Sequence, residues 1–500
     1  MVMQKLCLVL LSIAIFAEAV SAESPDLLIE VFRHGARAPD IGTYDRHNYW
    51  SNRLGQLTPV GMRMHYVLGA ALRERYPELL SKYDPEKIYV RSTAKDRTIT
   101  SAYAHMQGVF QQSGPVIDES VDLTKMTPTF GDESLKQLFA DIEKERYALP
   151  GRVQAVPIHT LPFKEDHSLK GWQICVKQAE WHIANLADVQ TLEIFSEDME
   201  RVLKYLNKKD IEVNDFSELG RVAEAAITSK MENLRLPGGI HPDSQMFKDL
   251  KFVYEFFYAK TVEALPMQRA LYAKPLLEAI LSYVDDFLHE RTPRNAIFLS
   301  AHDVTLMTLL AAFNITNTDC LLDNYRHAKK GKMIKYPDCV FPEFASNLIF
   351  EVYRTPQPSI AFYYDGKPMN LCGKADNRCT VSEFIDYTKQ VTNFLTMEDY
   401  YSQCDPMHSL NQTHHKKVRK NKMILQTSSG FTQLEIILMV LAVVLSLSIV
   451  GHWVSSQKNE NENSSLMKKK SIEFQSISDD SRSEVPEDTP NDVSQAAQEC

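Results

Sequence analysis

Glycine and cysteine are scarce in this chain, with 18 and 8 among 500 residues. So few glycines exclude a collagen-like repeat, and so few cysteines exclude a small fold caged by disulfides. Positive charge is not in surplus either. The 55 basic residues stand against 65 acidic ones, a formal charge of -10, which removes the electrostatic case for a nucleic-acid partner. No internal repeat is present at periods of about 20 to 50 residues. What remains is ordinary for a globular protein: 44% hydrophobic, 24% charged and 10% aromatic residues rule out a wholly disordered or a polytopic membrane chain. At this length a large core is expected.

The two ends read as addressing. Lys5 precedes an apolar stretch from Leu6 to Ala17, and small residues at Val20 and Ala22 follow, which predicts a secretory signal over 1–22. Ile436 to Val454 is apolar apart from His452, has strongly polar flanks and shows no amphipathic period, which predicts a transmembrane helix over 434–454. Basic residues flank it on both sides, from Lys416 to Lys422 and from Lys458 to Lys470, so charge counting gives no orientation. The signal decides it. Residues 23 to about 433 are lumenal or extracellular, and 455–500 form a Ser-, Asn-, Glu- and Asp-rich cytosolic tail that cannot build a core. The expectation is a single-pass type I membrane protein of the secretory pathway, at the lysosome or the cell surface. Glu462 to Met467 faintly resembles an acidic dileucine sorting signal, and the tail has no tyrosine for an endocytic signal of that type. His414 and His415 are read as a polar stalk, since adjacent side chains do not face one metal.

Cys7 leaves with the signal and Cys500 ends the tail. Six lumenal cysteines remain: Cys175, Cys320, Cys339, Cys372, Cys379 and Cys404. An even number in an oxidising compartment predicts three bridges, with the pairing open except for an easy local one between Cys372 and Cys379. Asn314 and Asn411 begin lumenal glycosylation sequons, while Asn463 falls on the cytosolic side.

Leu27 to Phe32 is a buried-strand pattern that stops at Arg-His-Gly. Thr58-Pro59 is an N-cap with proline at N1, and helix-period apolar positions follow to Tyr76. A second strand, Ile88 to Val90, ends in Arg-Ser-Thr, with a helix expected through Met106. This alternation predicts an α/β fold, a parallel sheet flanked by helices. From about 125 to 290 the pattern changes to charged helices, such as Gln178 to Leu203 and Phe247 to Leu265, with no convincing strand. That is read as a mostly helical lobe inserted into a domain spanning 23–420. Strands return at 296–299, 347–353 and 360–364. Trp172 and Trp181 are expected to pack inside the lobe, which should roof the site and choose substrates.

Three clusters stand at predicted strand ends, where open α/β sheets place ligands. Arg33-His34-Gly35-Ala36-Arg37-Ala38-Pro39 sets two guanidiniums beside an imidazole, with a glycine that allows close backbone approach. That combination suits a small oxyanion such as phosphate. Arg91 ends the second strand, and Ser300-Ala301-His302-Asp303 adds another imidazole beside a carboxylic acid.

Those motifs resemble the histidine acid phosphatase family, the acid phosphatase and phytase branch of the histidine phosphatase superfamily. RHGxRxP stands as RHGARAP at 33–39, the helix opening as GQLTPVG at 55–61, and the distal pair as SAHD at 300–303, with the likeness covering about 25–405. The resemblance implies a phosphomonoesterase with His34 as nucleophile and Asp303 as general acid. Arg33, Arg37, Arg91 and His302 would hold the phosphate oxygens. It implies an acid optimum, no metal or other cofactor, and bridges Cys175–Cys404 and Cys372–Cys379, which leave Cys320–Cys339. Family members often dimerise, so a homodimer is carried as an expectation beside a small phosphate-monoester partner. Ala36 departs from the acidic residue of the acid phosphatase members and matches the phytase form. An inositol-phosphate phosphatase is therefore the second reading, and a catalytically silent binding ectodomain the third.

Overall fold

Leu27–Arg33 forms β1, and every one of its residues is buried. A strand apolar on both faces belongs at the centre of a covered sheet. β1 lies there, parallel to β4 (Ala296–Ala301) and antiparallel to β5 (Asn347–Tyr353). β2 (Ile88–Ser92) pairs parallel with β4 and with β3 (His159–Thr160) at the edge. On the other side β6 (Ser359–Tyr364) pairs with β5, and β7 (Lys367–Pro368) and β8 (Arg378–Thr380) pair with β6. The order is β3-β2-β4-β1-β5-β6-β7, with β8 off that path. The computed structural model describes residues 24–42, 44, 48–50, 53–122, 146–263 and 265–405. The expected signal (1–22), span (434–454), tail and Asn411 lie outside them, as does the opening of the insert. Among the described residues no helix is long and apolar enough to cross a membrane.

The period-2 rule divides β1 between two cores. Leu28 and Phe32 face a layer shared with Val90, Phe298 and Ile349. It is closed by α1 (Pro59–Arg75) and α2 (Asp96–Val109). These two helices touch at Gly69, where a Cβ would come within 2.1 Å of the His105 carbonyl oxygen. Leu27, Ile29 and Val31 face the larger core under the helical lobe. That lobe includes α3 (His167–Ile174), α4 (Phe216–Met231), α5 (Gln245–Glu263) and α6 (Pro266–Leu288). α7 (Asp303–Ala312) leaves β4 directly.

Three expectations are corrected. The sheet is mixed, because β5 and β6 return as antiparallel strands. The insert does contribute a strand, β3, whose two residues are too few to carry a periodic signal. The helix expected over Gln178 to Leu203 breaks at Asp188, whose carboxylate accepts from the Thr191 amide and caps a new helix; a π turn follows at Ile194–Asp198. The bridges are Cys175–Cys404, Cys320–Cys339 and Cys372–Cys379. Trp172 and Trp181 are buried in the lobe's core.

Candidate active site

β1, β2 and β4 end side by side, so their last residues converge. After Arg33 the chain leaves β1 through a loop pinned from three directions. The Gly35 amide donates to Ser101 Oγ at 3.1 Å, the Ala345 amide to the His34 carbonyl at 3.2 Å, and His65 Nε2 lies 3.0 Å from the Arg33 carbonyl. α1 seals the loop from outside. Thr58 caps α1 by accepting from the Gly61 amide and donates its own hydroxyl to the Ala36 carbonyl at 3.1 Å. A Cβ on Gly35 would stand 2.3 Å from the Gly61 carbonyl oxygen, so loop and helix meet backbone to backbone.

His34 is buried, and its Nδ1 lies 2.9 Å from the Gly35 carbonyl oxygen. A carbonyl only accepts, so Nδ1 carries the proton and Nε2 keeps its lone pair. Burial, then the charges of Arg97, Arg33 and Arg37, hold the imidazole well below the ordinary histidine range. It is neutral well into acid. His302 meets it edge-on, ring centroids 5.6 Å apart. Burial, then Lys170, Arg97, His34 and Arg37, depress His302 in the same way, and its Nε2 sits 3.0 Å from Thr93 Oγ1.

Asp303 opens α7. Its Oδ1 accepts from the Val304 amide at 2.8 Å, and its Oδ2 accepts from Tyr254 OH at 2.8 Å and faces Arg33 Nη2 at 2.9 Å. Burial raises this carboxyl, but Arg33, the Tyr254 hydrogen bond and Arg37 together outweigh it and keep it below the usual carboxylate range. Arg33 also donates to the Pro342 carbonyl at 2.6 Å and stacks over Phe344. Arg37 is held by Glu224 at 2.5 Å and Asp40 at 3.3 Å.

Arg91 stands near the end of β2. Its guanidinium is bound to Ser168 Oγ and lies 3.4 Å from Asp166, tying β2 to α3. The third arginine acting on His34 is Arg97, in the first turn of α2. The Nε–H groups of Arg33, Arg37 and Arg97 are buried without an acceptor. The Nε–H of Arg91 shares that feature. Three cations with spare donors around a neutral imidazole make an oxyanion cradle. Among the described residues no group of three or more His, Cys, Asp or Glu is arranged to hold a metal ion.

A family model described as "Histidine phosphatase superfamily (branch 2)" matches residues 26–365. The chain belongs to this superfamily. Among relatives in it, lysosomal acid phosphatase of Rattus norvegicus is 25% identical over 394 residues, 74% of this chain and 79% of that protein. Testicular acid phosphatase of Homo sapiens is 27% identical over 330 residues, covering 62% and 68%. The fold is that of Hafnia alvei phytase in complex with tartrate, with a TM-score of 0.51 at 15% identity over 74% of this chain and 97% of that one.

Residue-by-residue reading missed Arg97, Glu224, Tyr254 and Lys170. Arg97 had a signal, since the helix after a parallel strand starts at the same sheet edge as the strand's end. Glu224 and Tyr254 come from lobe helices with no local mark of their role.

Proposed function

We propose that the chain is a membrane-anchored acid phosphatase that hydrolyses phosphate monoesters through a phosphohistidine, with its catalytic domain lumenal or extracellular. The observation that carries this is the neutral His34, its Nε2 lone pair free among Arg33, Arg37 and Arg97. The lone pair attacks phosphorus, the ester P–O bond breaks, and Asp303 gives its proton to the departing alkoxide. Its carboxylate then takes a proton from water as that water attacks the phosphohistidine, releasing inorganic phosphate and restoring His34. The three arginines and His302 hold the equatorial oxygens and spread the charge that moves between them. In the free enzyme Arg33 keeps Asp303 ionised. A bound phosphate shares Arg33 and adds negative charge, and both effects raise the carboxyl toward the protonated form the first step needs. The lysosomal relatives and the 434–454 segment support the lysosome or secretory pathway, with one span.

The test is phosphate release from p-nitrophenyl phosphate and from glycerol 2-phosphate by the ectodomain, across pH and with EDTA. An acid optimum that ignores EDTA is expected. His34→Ala should lower kcat by about 10³-fold or more. Asp303→Asn should slow the alkyl ester by about 10²–10⁴-fold. It should slow the nitrophenyl ester less, because that leaving group departs without a proton. A folded ectodomain that releases nothing from these esters or from inositol phosphates would establish the silent binding reading instead.

A further inference from the structure

α7 ends in a turn that the phosphate chemistry does not use. Phe313 closes the helix, and Asn314 follows with a φ of 55°, the left-handed conformation that asparagine tolerates at a helix end. Asn314-Ile315-Thr316 is a sequon, and Asn314 is exposed. Asn317 Nδ2 donates to Asn314 Oδ1 at 3.2 Å, which orients the amide. Asn314 Nδ2, the atom to which a glycan is joined, is left without a partner among the described residues.

Asn314 also lines a cavity of about 520 Å³, a size that holds a small ligand. The walls of this cavity are tied to one another. Thr316 Oγ1 donates to the Val340 carbonyl at 2.9 Å, and the Cys320–Cys339 bridge joins the helix Thr318–Lys329 to the segment before Val340. Asn324 pairs both ways with the Tyr336 backbone, at 2.8 and 2.9 Å, and Lys367 is ion-paired to Asp338. The lining sets Asp319, Asp323 and Asp338 against one lysine, Lys335, a balance that repels phosphate. Each carboxylate uses one oxygen, Asp319 for Gln190, Asp323 for Lys335 and Asp338 for Lys367, and among the described residues the other oxygen of each accepts nothing. Tyr336 stands in the same lining, 39% exposed. Open carboxylate oxygens accept from hydroxyl groups, and an aromatic ring covers the C–H face of a sugar.

Resting on the lumenal placement proposed above, we propose that Asn314 is glycosylated and that this cavity seats the first N-acetylglucosamine residues of its glycan. A bond forms between Asn314 Nδ2 and the anomeric carbon of a lipid-diphosphate-linked oligosaccharide. The lipid diphosphate leaves with the electron pair of the anomeric C–O bond, and the amide gives up one proton. Thr316, the third residue of the sequon, is fully buried in the folded chain. The transfer therefore precedes folding, and the turn closes with the sugar in place. In the alternative, the glycan is a free surface chain and Tyr336 is an ordinary loop residue.

The full chain, made in a secretory eukaryotic host, separates the two. Peptide mass spectrometry should find the glycan on Asn314. Peptide N-glycosidase should release it from the folded wild type at least about tenfold more slowly than from folded Tyr336→Ala. Tyr336→Ala should lower the thermal midpoint by at least about 2 °C with the glycan present and by less than about 1 °C in Asn314→Gln, while Tyr336→Phe should match the wild type. If Asn314→Gln does not fold, wild-type chain stripped of its glycan after folding takes its place. Equal release rates, or an equal midpoint loss with and without the glycan, overturn the seat. A glycan on Asn411 and none on Asn314 overturns it too and leaves the lumenal reading intact, whereas glycan at neither position removes both.

Discussion

At the scale of single residues, the chemistry turns on which cations face His34. A buried imidazole surrounded by guanidiniums resists protonation, because both burial and like charge disfavour its cationic form. The sign follows directly. A histidine at its ordinary value near 6.5 would lose its nucleophilic form as pH falls below that value, whereas His34, held well below it, keeps the lone pair. The acid limb of kcat/KM is therefore expected to lie well below 6.5, and a pH–rate profile that falls away at that value would contradict the site as described. Arg91 and Arg97 provide a second test. Arg97→Ala should lower kcat/KM by about 10²–10³-fold, the effect of removing one donor from a charge-stabilising cradle. Arg91→Ala instead removes the tie to Asp166 and Ser168. It should lower the thermal midpoint more than it lowers kcat, and a comparable loss of kcat in both variants would restore Arg91 to the cradle.

At the scale of elements, the loop after β1 and the first turn of α1 act as one piece. Thr58 serves both: its hydroxyl oxygen accepts from the α1 amide of Gly61 while its proton goes to the Ala36 carbonyl. Thr58→Ala should cost about 1 kcal/mol of stability, the usual worth of such a cap. Gly61→Ala should cost more, about 1–3 kcal/mol, because the added methyl would stand 2.1 Å from the Ala36 carbonyl oxygen and backbone must move to admit it. Denaturant midpoints measure both. Activity should fall with Gly61→Ala beyond the loss of folded protein, since the displaced backbone carries His34. The RHGARAP and GQLTPVG segments thus form one site, although they are separated in the chain, and this is why both were legible as motifs.

At the scale of the whole molecule, the sheet is assembled from the two ends of the domain. β1 pairs with β4 and β5, hundreds of residues away in sequence, and α6 and the helix Met397–Cys404 close the far side. The Cys175–Cys404 bridge joins the lobe to that last helix across a sequence separation of 229. In the chain-entropy account so long a loop makes the bridge worth roughly 5 kcal/mol. Replacing both cysteines by serine should therefore lower unfolding stability by several kcal/mol in urea titrations, far more than the same change at Cys372 and Cys379, whose separation is 7. Equal losses at the two bridges would show that loop length is not what these links contribute.

The sequence by itself determined what is local: β1 and β4 as apolar runs, the Thr58 cap with proline at N1, and His34, Arg33, Arg37, His302 and Asp303 at strand ends. Each of these is written within a few residues, in a period, a cap or a charge beside a turn. Only the tertiary structure decided that β5 and β6 return antiparallel, that the charge of Arg97 bears on His34 while Arg91 is tied to Asp166, and that Glu224, Tyr254 and Lys170 come down from the lobe. Those placements depend on side chains meeting across tens to hundreds of residues. Nothing in a local pattern encodes which of two nearby arginines finds Asp166 first, because that is settled by where α3 packs.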